Sequence, residues 1–186
     1  QSRMLALARQ HQIGDFYVCA SERQRDWWLG LLEAAGRINP RTFDADPSLR
    51  SLIDVAPYGL PSEPLPAPLP VSEGAIKGVW PGISAEDRLL LWGGGLWPWL
   101  DPLTAIRAAA RLRERHPRLK LVFPGTRHPN PAMKGMPDQV EAAKALAAEL
   151  GVLDSAVHFG DWMPYARWPH VLQECDVALT LHFDTV

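Results

Sequence analysis

From Leu89 onward, short apolar runs alternate with helical segments, and this alternation constrains the fold more than any other feature of the chain. Leu89 to Trp92 reads as a strand ended by Gly93, Gly94 and Gly95. Asp101-Pro102 then offers an N-cap with proline at the first helical position, and the helix should end near His116-Pro117. Leu119 to Phe123 is the next strand, and Asp138 to Leu150 an alanine-rich helix closed by Gly151. Ala156 to Phe159 is a third strand, Trp168 to Glu174 a last helix, and Val177 to Phe183 a further apolar strand. Strand, helix and strand in succession mean parallel strands joined by right-handed crossovers. The expected fold class is therefore α/β, an open parallel sheet with helices on both faces.

Upstream, a helical pattern over Arg3 to Gln10 leads to a buried-strand pattern, Asp15 to Ala20. A helix follows, opened by Ser21 with Gln24 at capping-box spacing and closed at Gly36. Ile53 to Pro57 reads as a second strand. Pro57, Pro61, Pro64, Pro66, Pro68 and Pro70 then place six prolines in fourteen residues. Such a segment cannot continue a helix and must run extended or in turns, so it is read as a linker. The organisation expected is a first unit over 1–56, a linker over 57–72 and a second unit over 73–186. Because the chain opens at Gln1 and stops at Val186 directly after an apolar run, it is read as a piece of a longer protein.

Charge and composition exclude several classes. The 19 Lys+Arg against 21 Asp+Glu give a net charge of −2, which argues against strong bulk attraction to nucleic acid or acidic lipid. No apolar stretch reaches membrane-spanning length, and the first residues lack a signal-peptide pattern. Cys19 and Cys175 sit in apolar settings without CxxC spacing and read as small core residues of a reducing compartment. The six histidines, His11, His116, His128, His158, His170 and His182, form no close i,i+4 pair, so no metal site is expected. Arg107, Arg111, Arg113, Arg115 and Arg118 could meet pyrophosphate or membrane, with a solvated helix face the reading preferred. Trp27 and Trp28 read as packing residues.

In open parallel sheets, ligands bind outside the carboxyl ends of the strands. Three loops fall there. WGGGLWPWLDP lets a phosphate or sugar approach the backbone at Gly93, Gly94 and Gly95. It is neither GxGxxG nor a P-loop, and the alternative is a turn with Trp97 and Trp99 as core filler. PGTRHPNP starts with Gly125 after a strand and carries Thr126, Arg127 and His128 as donors to a hydroxyl or phosphate; the alternative is a solvated, proline-stiffened loop. In FGDWMP, Asp161 and Trp162 pair an acceptor with a flat ring suited to a base or sugar; the alternative is a tryptophan covering the sheet edge.

Taken together, LLLWGGGLWPWLDPLTAIRAAARL, LVFPGTRHPNP, HFGDWMPY and ECDVAL, in that order, resemble a retaining family 4 (group 1) glycosyltransferase of the two-domain, Rossmann-like GT-B fold. The resemblance runs from about Asp15 to Val186, with VAPYGLP similar to the hinge strand. It implies that 1–56 is the tail of the acceptor-side domain and 73–186 the first half of the donor-side domain. It also implies a nucleotide-sugar donor, a sugar or lipid-linked acceptor, transfer with retention, and no metal or other cofactor. The setting implied is polysaccharide, lipopolysaccharide or glycolipid assembly in the cytoplasm, free or peripheral at the inner face of the membrane. Gly93, Gly94 and Gly95 would border the donor phosphates and sugar, Gly125, Thr126 and His128 the cleft, and Asp161 and Trp162 the base.

Two departures stand out. Gly95 and Leu100 occupy positions where many family members carry an arginine and a lysine against the pyrophosphate, so phosphate recognition must use other groups. The family's Glu-x7-Glu motif is expected beyond Val186, so this stretch alone should not transfer sugar. The other readings are a non-catalytic ligand-binding or interaction module on the same scaffold, with Trp97, Trp99 and Trp162 as its patch, and another GT-B enzyme such as a sugar-nucleotide epimerase.

Overall fold

The computed structural model describes residues 2–60, 62, 64–70, 73–133, 135 and 138–183. Gln1, Pro61 and Val186, named above, lie outside them. The chain divides into two compact units, Gln1–Pro64 and Leu65–Val186, and the division falls inside the proline-rich stretch. Among the described residues of 56–70 there is neither helix nor strand.

The first unit holds α1 (Ser2–Ile13), β1 (Tyr17–Cys19), α2 (Glu22–Ala34), α3 (Pro40–Ala45) and β2 (Ile53–Val55). β1 and β2 pair in parallel, Tyr17 opposite Ile53 and Cys19 opposite Val55. Their inner face packs with Leu32 and Trp28 of α2. Ser21 caps α2 by accepting from the Gln24 amide at 3.3 Å, while the Gln24 side chain accepts from Ala20, one residue before the cap. At the other end Gly36, at φ +73°, follows the last helical turn. Its amide bonds Glu33 and that of Arg37 bonds Leu32, a Schellman ending that favours glycine. Helix α3 was not expected from the sequence, although its signal is present: Asn39 and Thr42 form a reciprocal capping box around Pro40. Buried Arg25 ties α2 to the chain entering β2 through the carbonyls of Ile53, at 2.9 Å, and Ser48.

The second unit holds β3 (Arg88–Trp92), α4 (Pro102–Leu112), β4 (Leu119–Phe123), α5 (Val140–Glu149), β5 (Val157–Phe159), α6 (Trp168–Glu174) and β6 (Val177–Leu179). All pairings are parallel, in the order β5-β4-β3-β6. The fold is α/β and Rossmann-like. Because successive side chains of a strand face opposite ways, Leu121, Phe123, Val157 and Trp92 join one core with Ala105, Ile106 and Ala109 of α4 and Ala143 and Ala147 of α5. Leu89, Leu91 and Val122 join the other with Val171 of α6 and Ala75, Ile76 and Ile83 of the chain before β3. The alanines let α4 and α5 approach the sheet closely. Large rings fill the remaining space, Trp92 and Phe123 with centroids 5.6 Å apart and Phe123 and Phe159 stacked at 4.8 Å.

The chain steps outward from β3 to β4 to β5 and then returns to place β6 on the far side of β3. Crossovers of one hand put α6 on the opposite face from α4 and α5 when the direction reverses, as observed. The reversal lies between β3 and β6. Two boundaries of this unit differ from expectation by about four residues. α4 stops at Leu112, short of His116, and turns carry the chain to β4. The last strand is not Val177 to Phe183: β6 ends at Leu179, and the chain then leaves the sheet to bridge the loop after β3, with Leu100 opposite His182 and the Asp101 amide 2.9 Å from the Leu181 carbonyl.

Candidate functional site

The loops that follow β3, β4 and β5 all lie at one rim of the second sheet, the carboxyl ends of its strands. They enclose a cavity of about 870 Å³ that Trp168 of α6 and Asp138 and Val140 at the start of α5 complete. Among the residues expected to bind a ligand, Gly93, Gly94, Gly95, Gly125, Thr126, His128 and Trp162 all line it. Asp161 does not. Its carboxylate stands 3.6 Å from the Arg127 guanidinium, both groups well exposed, a pair worth little to stability.

The glycine loop is held at its edges and bare in its middle. Leu96 is buried in the core, the Trp92 indole nitrogen donates to the Gly95 carbonyl at 3.3 Å, and the Gln139 amide donates to the Leu96 carbonyl at 2.8 Å. The Gln139 side chain donates further to Trp97, at 3.0 Å, and to Leu100. Gln139 supports the glycine loop, a role that the sequence, read as a helix running from Asp138, did not show. A side chain at Gly95 would collide with Trp97, the indole nitrogen lying 2.7 Å from the built Cβ. At Gly93 and Gly94 nothing lies within 4 Å, and neither residue occupies the left-handed region. Among the described residues no acceptor takes the backbone amide of Gly93, Gly94 or Gly95. Packing and backbone strain therefore give no reason for glycine at 93 and 94.

The second and third loops are zipped together. The Thr126 amide donates to the carbonyls of Gly160 and Asp161, both at 3.0 Å, the Arg127 amide to Asp161 at 2.7 Å, and the Thr126 hydroxyl to Gly160 at 2.8 Å. The single hydroxyl proton of Thr126 is thus spent inside the fold. This corrects the expectation that it donates to a ligand, and leaves it an acceptor only. Gly160 is required by packing, because a Cβ there would lie 2.5 Å from the Trp80 ring. Gly125 sits beneath Trp162, which is 47% exposed and meets the His128 ring edge-on at 5.1 Å. His128 Nδ1 accepts from the Asn130 amide at 3.1 Å, which leaves Nε2 as the protonated, donating nitrogen of the neutral ring.

Among the described residues, the wall is thus built of three indoles, one imidazole and a strip of bare backbone, with Arg127 and Asp138 as its charged side chains. Flat rings suit a base or the apolar face of a sugar. Free amides and one guanidinium suit an oxyanion. Trp97 stacks on Trp99 at 5.7 Å, and Trp99 is 58% exposed, so neither indole is core filler. Among the described residues no group of three or more His, Cys, Asp and Glu side chains could hold a metal ion, and no helix is long and apolar enough to cross a membrane.

No protein-family model matches this sequence, and no curated protein is significantly similar to it.

Proposed function

We propose that this chain supplies the donor-binding part of a retaining glycosyltransferase that uses a nucleotide-sugar, transferring to a sugar or lipid-linked acceptor in the cytoplasm, free or at the inner face of the membrane. The observation that carries the reading is the strip Gly93 to Gly95. Its three amides have no acceptor among the described residues, the first two residues have open space where a side chain would stand, and all three line the cavity at the strand ends. A diphosphate has the charge and the acceptor atoms for such a strip, and the Arg127 guanidinium on the same wall adds a cation where the resemblance expected an arginine and a lysine elsewhere. Trp162 offers its face to a base and Trp97 or Trp168 to a sugar ring. Titration calorimetry of the chain with UDP-glucose, GDP-mannose and ADP-glucose tests this. Binding of at least one is expected, weakened when the diphosphate is removed; heats no larger than those of free glucose refute it.

The stacked Trp97–Trp99 pair favours a second reading, a non-catalytic carbohydrate-binding module. It requires the opposite result in the same titration: free saccharides bind as well as sugar nucleotides do, and Trp99→Ala abolishes both.

A further inference from the structure

A second cavity of the same unit lies at the other end of the sheet, beside the amino ends of β3 and β4. Its volume is about 600 Å³, and Arg88, Arg115, His116 and Arg118 border an apolar floor that includes Leu90 and Leu112. Residues 107–118 contain five arginines against Glu114 alone, a local charge of +4 in a chain whose total is −2. Arg88 is paired with Asp176 at 2.6 Å, and Arg113 donates to the Gly151 carbonyl at 2.8 Å. Arg107, Arg111, Arg115 and Arg118 meet no carboxylate within 4.0 Å among the described residues.

Cations near a helix carboxyl end offset its partial negative charge, and this accounts for Arg111 and Arg113 at the close of α4. It does not account for Arg115 and Arg118, which lie beyond the helix, nor for Leu112, left 36% exposed between two arginines. The cations are strung along the helix end and the loop after it, Arg107 and Arg111 alone being about 6 Å apart along the axis. One small anion would engage two of them and make no use of the apolar floor. A sheet of phosphates over acyl chains offers an anion to each cation that faces it and an apolar layer to the floor.

We propose that this face of the second unit binds an anionic lipid surface, with Arg111, Arg115 and Arg118 taking lipid phosphates and the Leu90–Leu112 floor lying against the glycerol and acyl region. The inference stands apart from the donor reading, since its test contains no sugar nucleotide. The 186-residue chain is sedimented with vesicles of phosphatidylcholine alone and of phosphatidylcholine with phosphatidylglycerol. Binding is expected only to the second, declining as salt rises. At about fivefold per arginine near the surface, the combined variant R111Q, R115Q and R118Q should lower the partition coefficient on the order of a hundredfold. R118Q alone, outside the helix, should lower it about fivefold and serves if the combined variant loses its circular dichroism transition. Arg9→Gln, Arg23→Gln and Arg41→Gln together remove the same charge from the first unit and should leave binding intact. Absence of binding to the anionic vesicles at low salt overturns the proposal. So do equal losses in the two triple variants, or capture by polyglutamate without capture by vesicles.

Discussion

Gly94→Ala separates a glycine kept for a ligand from one kept for the fold. The new methyl group would meet no atom within 4 Å, and residue 94 does not use the left-handed region, so the folded state has no steric reason to object. The unfolded chain loses conformational freedom, so the substitution should stabilise by about 0.4–1 kcal/mol. For a chain of this size that is a rise in Tm of roughly 1–4 °C. Gly82→Ala is the counterpart. Residue 82 has φ +77° and a built Cβ only 2.9 Å from the Asp154 carbonyl oxygen, so alanine there should cost more than about 1 kcal/mol. Binding should move the other way at residue 94. On the proposed reading the methyl group stands where a phosphate oxygen approaches these amides, and losing a charge-assisted hydrogen bond of about 1.5–3 kcal/mol weakens affinity about ten- to a hundredfold. Thermal melts with titration calorimetry against the best sugar nucleotide provide both readouts. A Tm lowered by several degrees would show that the glycine is structural after all. Unchanged affinity in a stable variant would remove the glycine strip from the binding site and the proposed function with it.

Three further outcomes follow from side chains away from that loop. His158 is almost fully buried, and its burial, reinforced by the nearby Lys120 charge, holds the imidazole below its ordinary value of 6.5. The unfolded state therefore binds the proton more readily. The stability that His158 contributes is complete above pH 6.5 and falls as the pH drops below it, by up to about 1.4 kcal/mol per pH unit, and urea melts of His158→Leu should lack that component. The Glu174 carboxylate accepts from the amides of Ala75, Ile76 and Lys77, the last two at 2.8 Å; Glu174→Gln leaves one acceptor for three donors and should cost about 1.5–3 kcal/mol in the same melts. Burial pushes the Cys175 thiol up to about 12, so it should resist iodoacetamide at pH 8 in the native chain and react once urea unfolds it; rapid native labelling would contradict the burial.

What the sequence by itself determined is local. Alternating apolar runs located β3, β4 and β5. Asp101-Pro102 and Ser21 marked helix starts through backbone donors that only a short acceptor side chain satisfies, and Gly36 and Gly151 marked helix ends at φ +73° and +63°. Asn39-Pro40 carried the same kind of signal for α3. What only the tertiary structure decided is which distant groups share a neighbour. The return of the chain to the far side of β3 ended β6 at Leu179 and turned Leu181 toward Asp101, because a backbone bond to another loop replaced one more rung of the sheet. Thr126 read as a free donor until Gly160, thirty-four residues away, took its proton. Gly93, Gly94, Gly95 and Gly160 look alike in the sequence, yet one faces Trp80, one Trp97 and two face open space. Capping and periodicity act within a turn or two of the chain and are legible in order. Steric room and hydrogen-bond partners at a strand end depend on residues that the sheet alone brings together.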